Sequence, residues 1–231
     1  MLNLIAASAF FVLIHLLISG TRVRDRLVGR IGEGPYMGLF AALSIVGLVW
    51  LALAFGQARG GPENEPYWSV GPASRNIQML IQLLAVTLIV IGLSTRNPTS
   101  VRQEGVIERP DAAQGILRVT RHPFLWGVAL WALGHLVVNG DRASLILFGS
   151  LLILAVSGTA SIDAKRKRAL GPAWDSFAAR TSNVPFAAIV EGRQRLIWSE
   201  IGVWRILAAV AVYLVLVLAH PHFTGVPALA G

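Results

Sequence analysis

Two histidines stand inside runs of apolar residues: His15 in FFVLIHLLISG and His135 in LWALGHLVVNGD. An ionisable side chain is costly in hydrocarbon, so its presence there points to a task. A neutral imidazole can bond a polar group on a neighbouring helix, and Gln78 and Gln82 are candidates for that partner. It can also offer a ring nitrogen to a metal. Gly127 and Trp131 precede His135 in steps of four, Gly134 removes bulk beside it, and Ser8, Phe11 and Ser19 flank His15 in a similar stripe. Two imidazoles on opposite helices can ligate a haem iron from both faces, and small neighbours leave room for a porphyrin. A site for a cation or a small polar substrate is a further reading. A second constellation is Arg121-His122-Pro123. Arginine forks onto carboxylate or phosphate, and the adjacent imidazole adds another bond. The plainer reading is a lipid-headgroup anchor at a helix start, where Pro123 costs little.

The elements that must position these residues follow from hydropathy. The chain has 231 residues, of which 55% are hydrophobic and 14% charged, and a mean hydropathy of +0.63. Soluble domains carry about 25% charged residues, so the composition belongs to a bilayer. Six runs reach the roughly 17 to 25 residues that a crossing needs: about 2–19, 38–56, 77–95, 123–139, 144–162 and 201–219. The chain therefore reads as an all-α polytopic helix bundle in a single domain, 1–231. Asn139-Gly140-Asp141 predicts a tight hairpin between the fourth and fifth runs. The first run lacks a charged leader and a small-residue cleavage site, so it reads as a retained helix.

The net charge of +8 would suit nucleic acid if it were spread over a soluble face. Instead the basic residues sit in blocks between apolar runs, which points to a membrane partner and to no nucleic acid. Sixteen of the twenty Lys and Arg residues follow runs one, three and five. That places those segments in the cytoplasm and both termini on the opposite side. By helical rise, His15 then lies about 20 Å below the outer surface and His135 about 18 Å above the inner one. In a core about 30 Å thick, the two can meet near mid-depth. The segment 163–200 reads as one or two short amphipathic helices on the cytoplasmic surface, facing anionic headgroups. With no cysteine in the chain, disulfides, thiolate ligands and cysteine nucleophiles are excluded.

Three stretches, HLLISGTRVRDRLVGRIGEGPYMG, TRHPFLWGVALWALGHLVVNGD and DAKRKRALGPAWDSFAARTSNVPFAAIVEGR, resemble the NnrU family. The resemblance implies a bacterial inner-membrane protein associated with nitrite and nitric oxide metabolism, whose partners would be respiratory or denitrification components. That family is similar to the 15-cis-zeta-carotene isomerases, membrane enzymes carrying haem b. By motif position their haem-ligating histidines fall on His15 and His135, while Ala132 stands where the isomerases have a cysteine implicated in ligand switching. The RHP-x-x-x-G pattern of Arg121, His122, Pro123 and Gly127 is also similar to membrane methyltransferases that hold S-adenosylmethionine. For that likeness Asp163, Gly171, Trp174 and Phe177 supply the later segment. Leu125 replaces the usual tyrosine, and Asp163 stands alone where an acidic pair is usual. The expectations are a haem b protein ligated by His15 and His135, with Arg121 and His122 at its rim; a haem-dependent isomerase; or an S-adenosylmethionine-dependent methyltransferase.

Overall fold

The structure is a computed structural model that describes residues 1–226 and 228. It is almost wholly helical. α1 (Leu2–Leu13) continues into a π-helical turn, Ile14–Ser19, and is followed by α2 (Arg22–Ile31) and α3 (Glu33–Arg59). A short strand, β1 (Pro66–Trp68), precedes α4 (Pro72–Ser94). Two 3₁₀ turns, Glu104–Glu108 and Gly115–Arg118, then lead to α5 (Pro123–Val138), β2 (Gly140–Asp141) and α6 (Arg142–Leu170). Three short helices follow, α7 (Pro172–Arg180), α8 (Ala187–Val190) and α9 (Trp198–Ile201), before the closing α10 (Val203–Thr224).

Among the described residues five helices are long and apolar enough to cross a membrane, namely Leu2–Ser19, Glu33–Arg59, Ala73–Ser94, Arg142–Leu170 and Val203–Thr224. The sixth expected crossing, α5, has 16 residues, a rise of about 24 Å against a hydrocarbon core of about 30 Å. Its ends explain its length. Pro123 cannot donate to a preceding turn, and Asn139-Gly140 leaves the helix for the β2 pairing. Asp141 then caps α6 by accepting bonds from the Ser144 amide at 3.0 Å and the Ser144 hydroxyl at 2.7 Å. The predicted hairpin is present, and β2 adds an antiparallel pairing with β1, Pro66 opposite Asp141 and Trp68 opposite Gly140. The segment expected to hold one or two amphipathic helices contains the end of α6 and three short helices.

The chain forms two compact units, Met1–Val70 with Ala132–Ser161, and Gly71–Trp131 with Ile162–Gly231. In the first unit, Leu4 and Ala7 of α1, Leu51, Ala54 and Ala58 of α3 and Ala143 of α6 make one buried cluster. Gly47 lets α1 close on α3, since a Cβ there would lie 3.0 Å from the Phe10 ring. In the second unit, Ile91 packs with Ile116, Leu117, Val119 and Ile201, and Trp174 and Phe177 of α7 pack with Ile107, Ala112 and Ala113. α10 lies along α4, where the Tyr213 hydroxyl donates to the Met79 carbonyl at 3.1 Å. Leu207, Leu214 and Leu218 on α10 are more than half exposed, as lipid-facing residues are.

Candidate functional site: two helical histidines and a buried Arg-His-Asp cluster

Both helical histidines belong to the first unit. His15 lies within the π-helical turn, a geometry that recurs at functional sites because it shifts side chains out of α-helical register. Its Nδ1 lies 2.7 Å from the Phe11 carbonyl oxygen. A carbonyl accepts only, so Nδ1 donates, and in the neutral ring Nε2 carries the lone pair. The ring packs on Phe11, centroids 4.5 Å apart, and edge-on to Phe40 of α3 at 5.2 Å. His135 stacks on Phe148 of α6 at 4.7 Å and 20°, and Phe148 in turn meets Phe55 of α3 at 6.2 Å.

The two imidazoles are set at different levels of this unit. α1 and α6 run parallel: Leu4 and Ala7 cluster with Ala143, and a Cβ at Gly20 would lie 2.2 Å from Ser161 Oγ. Counting along α6 from these contacts, His15 lies about 12 Å farther from the 139–141 hairpin than His135 does. Helical side chains tilt toward their own N-terminus. Because α5 is antiparallel to α6, and so to α1, the two imidazoles lean toward each other's level. The donor chemistry of His15, with Nδ1 bonded to a carbonyl and the lone pair on Nε2, is that of an iron-ligating imidazole. The two glutamines considered as bonding partners belong to the second unit. Gln82 donates to the Trp131 carbonyl at 3.3 Å, and Gln78 Oε1 is buried without a partner among the described residues. Gly127 serves helix packing rather than ligand space, since a Cβ there would lie 2.8 Å from the Ala85 carbonyl and 2.7 Å from the Ile89 side chain.

Arg121 and His122 lie in the second unit, at the N-terminus of α5, and both reach Asp163 of α6. Arg121 grips the carboxylate with Nε at 3.0 and 3.1 Å and a terminal nitrogen at 2.5 Å. His122 Nε2 lies 2.7 Å from Asp163 Oδ1, and as the carboxylate only accepts, Nε2 carries the proton. Asn183 Nδ2 adds a bond to the same carboxylate at 3.2 Å. The Asn183 carbonyl accepts from the Thr120 hydroxyl at 2.6 Å and from Trp126 Nε1 at 2.8 Å. The Arg121 guanidinium also lies 5.7 Å from the Trp174 ring centroid. Burial pushes the His122 imidazole below its ordinary value. Asp163 opposes that shift, and the Arg121 charge adds to it. The carboxylate is thus balanced by Arg121, with a neutral His122 as a hydrogen-bond donor.

A family model described as "NnrU protein" matches residues 3–228. The chain belongs to the NnrU family. This NnrU chain is 28% identical over 169 residues to the chloroplastic 15-cis-zeta-carotene isomerase of Zea mays, covering 72% of this chain and 45% of that protein. To the Arabidopsis thaliana protein of the same name it is 33% identical over 114 residues, covering 48% of this chain and 31% of that protein. It therefore spans less than half the length of these curated relatives. No solved structure matches it.

The cluster recruits residues that sequence patterns do not single out. Asn183 lies within the third family-like stretch but nothing there singles it out, because its importance comes from a loop folding back beside Thr120. Arg166 is legible in the sequence only as one of a basic run, yet it is almost fully buried. It pairs with Glu104 and donates to the Thr99 and Ser100 carbonyls at 3.3 and 2.6 Å. Arg118 likewise forks onto Glu200 with two bonds of 2.7 Å, while the Gly115 amide donates to the same carboxylate at 2.8 Å. Among the described residues no group of three or more His, Cys, Asp or Glu side chains is placed to hold a bare metal ion.

Proposed function

We propose that this NnrU protein is a multi-pass protein of the bacterial cytoplasmic membrane that binds haem b through His15 and His135 and supports nitrite and nitric oxide metabolism. One observation carries the haem reading: the His15 Nδ1–H bond to the Phe11 carbonyl. Such a bond fixes the tautomer and ring orientation of a metal-ligating histidine and raises its basicity. His135, packed flat on Phe148, is the second ligand in this reading, and the haem would supply one-electron chemistry. The chain's own part is to present two oriented imidazoles among apolar and aromatic side chains that exclude water. In the same reading the short α5 is the sixth crossing, and both termini lie outside the cytoplasm, as the distribution of Lys and Arg directs.

A second reading is favoured by the names of the relatives, which are isomerases of a polyene: a haem-dependent cis–trans isomerase with the same two ligands. Closed histidine ligation on both faces would then have to open at one of them. Methyl transfer has less support, because Arg121, His122 and Asp163 bond one another rather than facing a ligand. An absorption spectrum of the detergent-purified protein after haem reconstitution tests the proposal. A Soret band that is lost in His15→Ala and in His135→Ala is the expected result. A wild-type protein that stays colourless overturns it.

A further inference from the structure

Below His15, away from the hairpin end of the first unit, a buried phenol makes no hydrogen bond of good geometry among the described residues. Tyr36 of α3 is 3% exposed, and its hydroxyl oxygen is without a hydrogen-bond partner among the described residues. The Ser19 hydroxyl lies beside it, outside hydrogen-bond geometry. Leaving a buried hydroxyl unpaired is costly, so one retained at this position is poised for a ligand. Its surroundings say which kind. The Arg24 guanidinium lies 5.5 Å from the Tyr36 ring centroid. Its protein partners, Glu33 at 3.1 Å and Asp25 at 3.6 Å, are 62% and 58% exposed, so they hold it weakly. On the other side, Tyr36 stacks on Phe40 at 6.0 Å and 14°, and Phe40 is the ring that meets His15. Ser19 lies one turn beyond His15 on its helix and Tyr36 one turn from Phe40 on α3, so the polar corner is about 5 Å along the helices from the imidazole level.

We infer that Tyr36, Arg24 and Ser19 form an anion-binding corner for the carboxylate of an amphiphilic ligand whose apolar body lies along Phe40 and His15. The phenol and serine hydroxyls donate, the guanidinium supplies charge, and the aromatic rings above take the apolar part. The carboxylate has two sources. One is a haem propionate, which rests on the haem reading given above. The other is a fatty acid drawn from the bilayer, which does not.

Comparing acids with their neutral esters tests the inference. Haem b and its dimethyl ester are titrated spectrally, and radiolabelled oleate and methyl oleate by equilibrium binding, onto wild type, Tyr36→Phe and Arg24→Gln in detergent. Tyr36→Phe keeps the ring and deletes an unpaired hydroxyl, so the ligand-free variant should melt no lower than wild type. The expected result is that at least one acid binds wild type about tenfold more tightly than its ester, and that Tyr36→Phe and Arg24→Gln each erase most of that preference. Preference for haem over its ester identifies a propionate. Preference for oleate alone, with no Soret band, sustains the corner while the haem reading fails. The inference is overturned if neither acid is preferred to its ester, or if the preference persists undiminished in Tyr36→Phe.

Discussion

The residue that organises the second unit is Asp163. Its carboxylate takes three bonds from Arg121, one from His122 and one from Asn183, and its removal would strand a guanidinium that is 13% exposed. Deleting one partner of a buried pair leaves an uncompensated charge. Asp163→Ala should therefore destabilise the protein by about 3 kcal/mol, read as a lower melting temperature by Trp fluorescence. Arg121→Lys should lose about 1–2 kcal/mol, because an ammonium cannot reproduce the fork. Acid should act on the same unit in two steps. His122 is held below its ordinary value of 6.5 by burial, so below that pH the unfolded chain binds more protons than the folded one. Stability should fall as the pH drops from about 6.5. The hydrogen bonds from Arg118 hold Glu200 below its ordinary 4.5, so its contribution is complete above that value and is lost as the pH falls through the lower folded one. Melting curves against pH should show both losses, with the more acidic one smaller in Glu200→Gln.

Among the elements, α5 depends on a bare helix surface. Gly127 faces α4 so closely that any side chain meets the Ala85 carbonyl and Ile89. At Gly149 of α6, by contrast, a methyl group would meet nothing within 4 Å. Gly127→Val should therefore part α4 from α5 and cost about 1–3 kcal/mol or more. Gly149→Ala should be neutral or stabilising by up to about 1 kcal/mol, since it only removes backbone freedom. Thermal unfolding of the two variants side by side separates close packing from helix propensity. The cap of α6 is a smaller lever. Asp141→Ala removes both bonds to Ser144 and should cost about 1 kcal/mol.

For the molecule as a whole, the proposed arrangement across the bilayer is open to a clean labelling experiment because the chain has no cysteine. Single cysteines replacing Gly61, between α3 and β1, and Lys167, at the end of α6, should lie on opposite sides of the membrane. In intact spheroplasts a membrane-impermeant maleimide should label the first and leave the second unlabelled until the membrane is opened. Labelling of Lys167→Cys alone would reverse the orientation inferred from the Lys and Arg blocks, and labelling of both would refute their placement on opposite sides.

Much of the architecture could be read from the sequence because hydrophobic runs and charge blocks are local quantities. Long apolar stretches bounded by Pro, Gly and Arg define helices wherever they occur. The first run appears as α1 and its π turn, and the 139–141 signal as a hairpin, while Glu33–Arg59 and Arg142–Leu170 extend past their apolar centres, the first through Pro35, tolerated in an opening turn, and the second through the Ala, Lys and Arg of its last turns. Of the candidate site, His15, His135, Arg121 and His122 stood out in the sequence by type and surroundings. What those side chains touch depends on residues distant in the chain, and spacing does not encode that. Only tertiary structure added Asn183 to the pairing of Arg121 with Asp163, buried Arg166 against two carbonyls, filled the face of Gly127 with α4, and left the Tyr36 hydroxyl unpaired with Arg24 over its ring. Each of these is a matter of which groups lose their water together, and folding alone decides that.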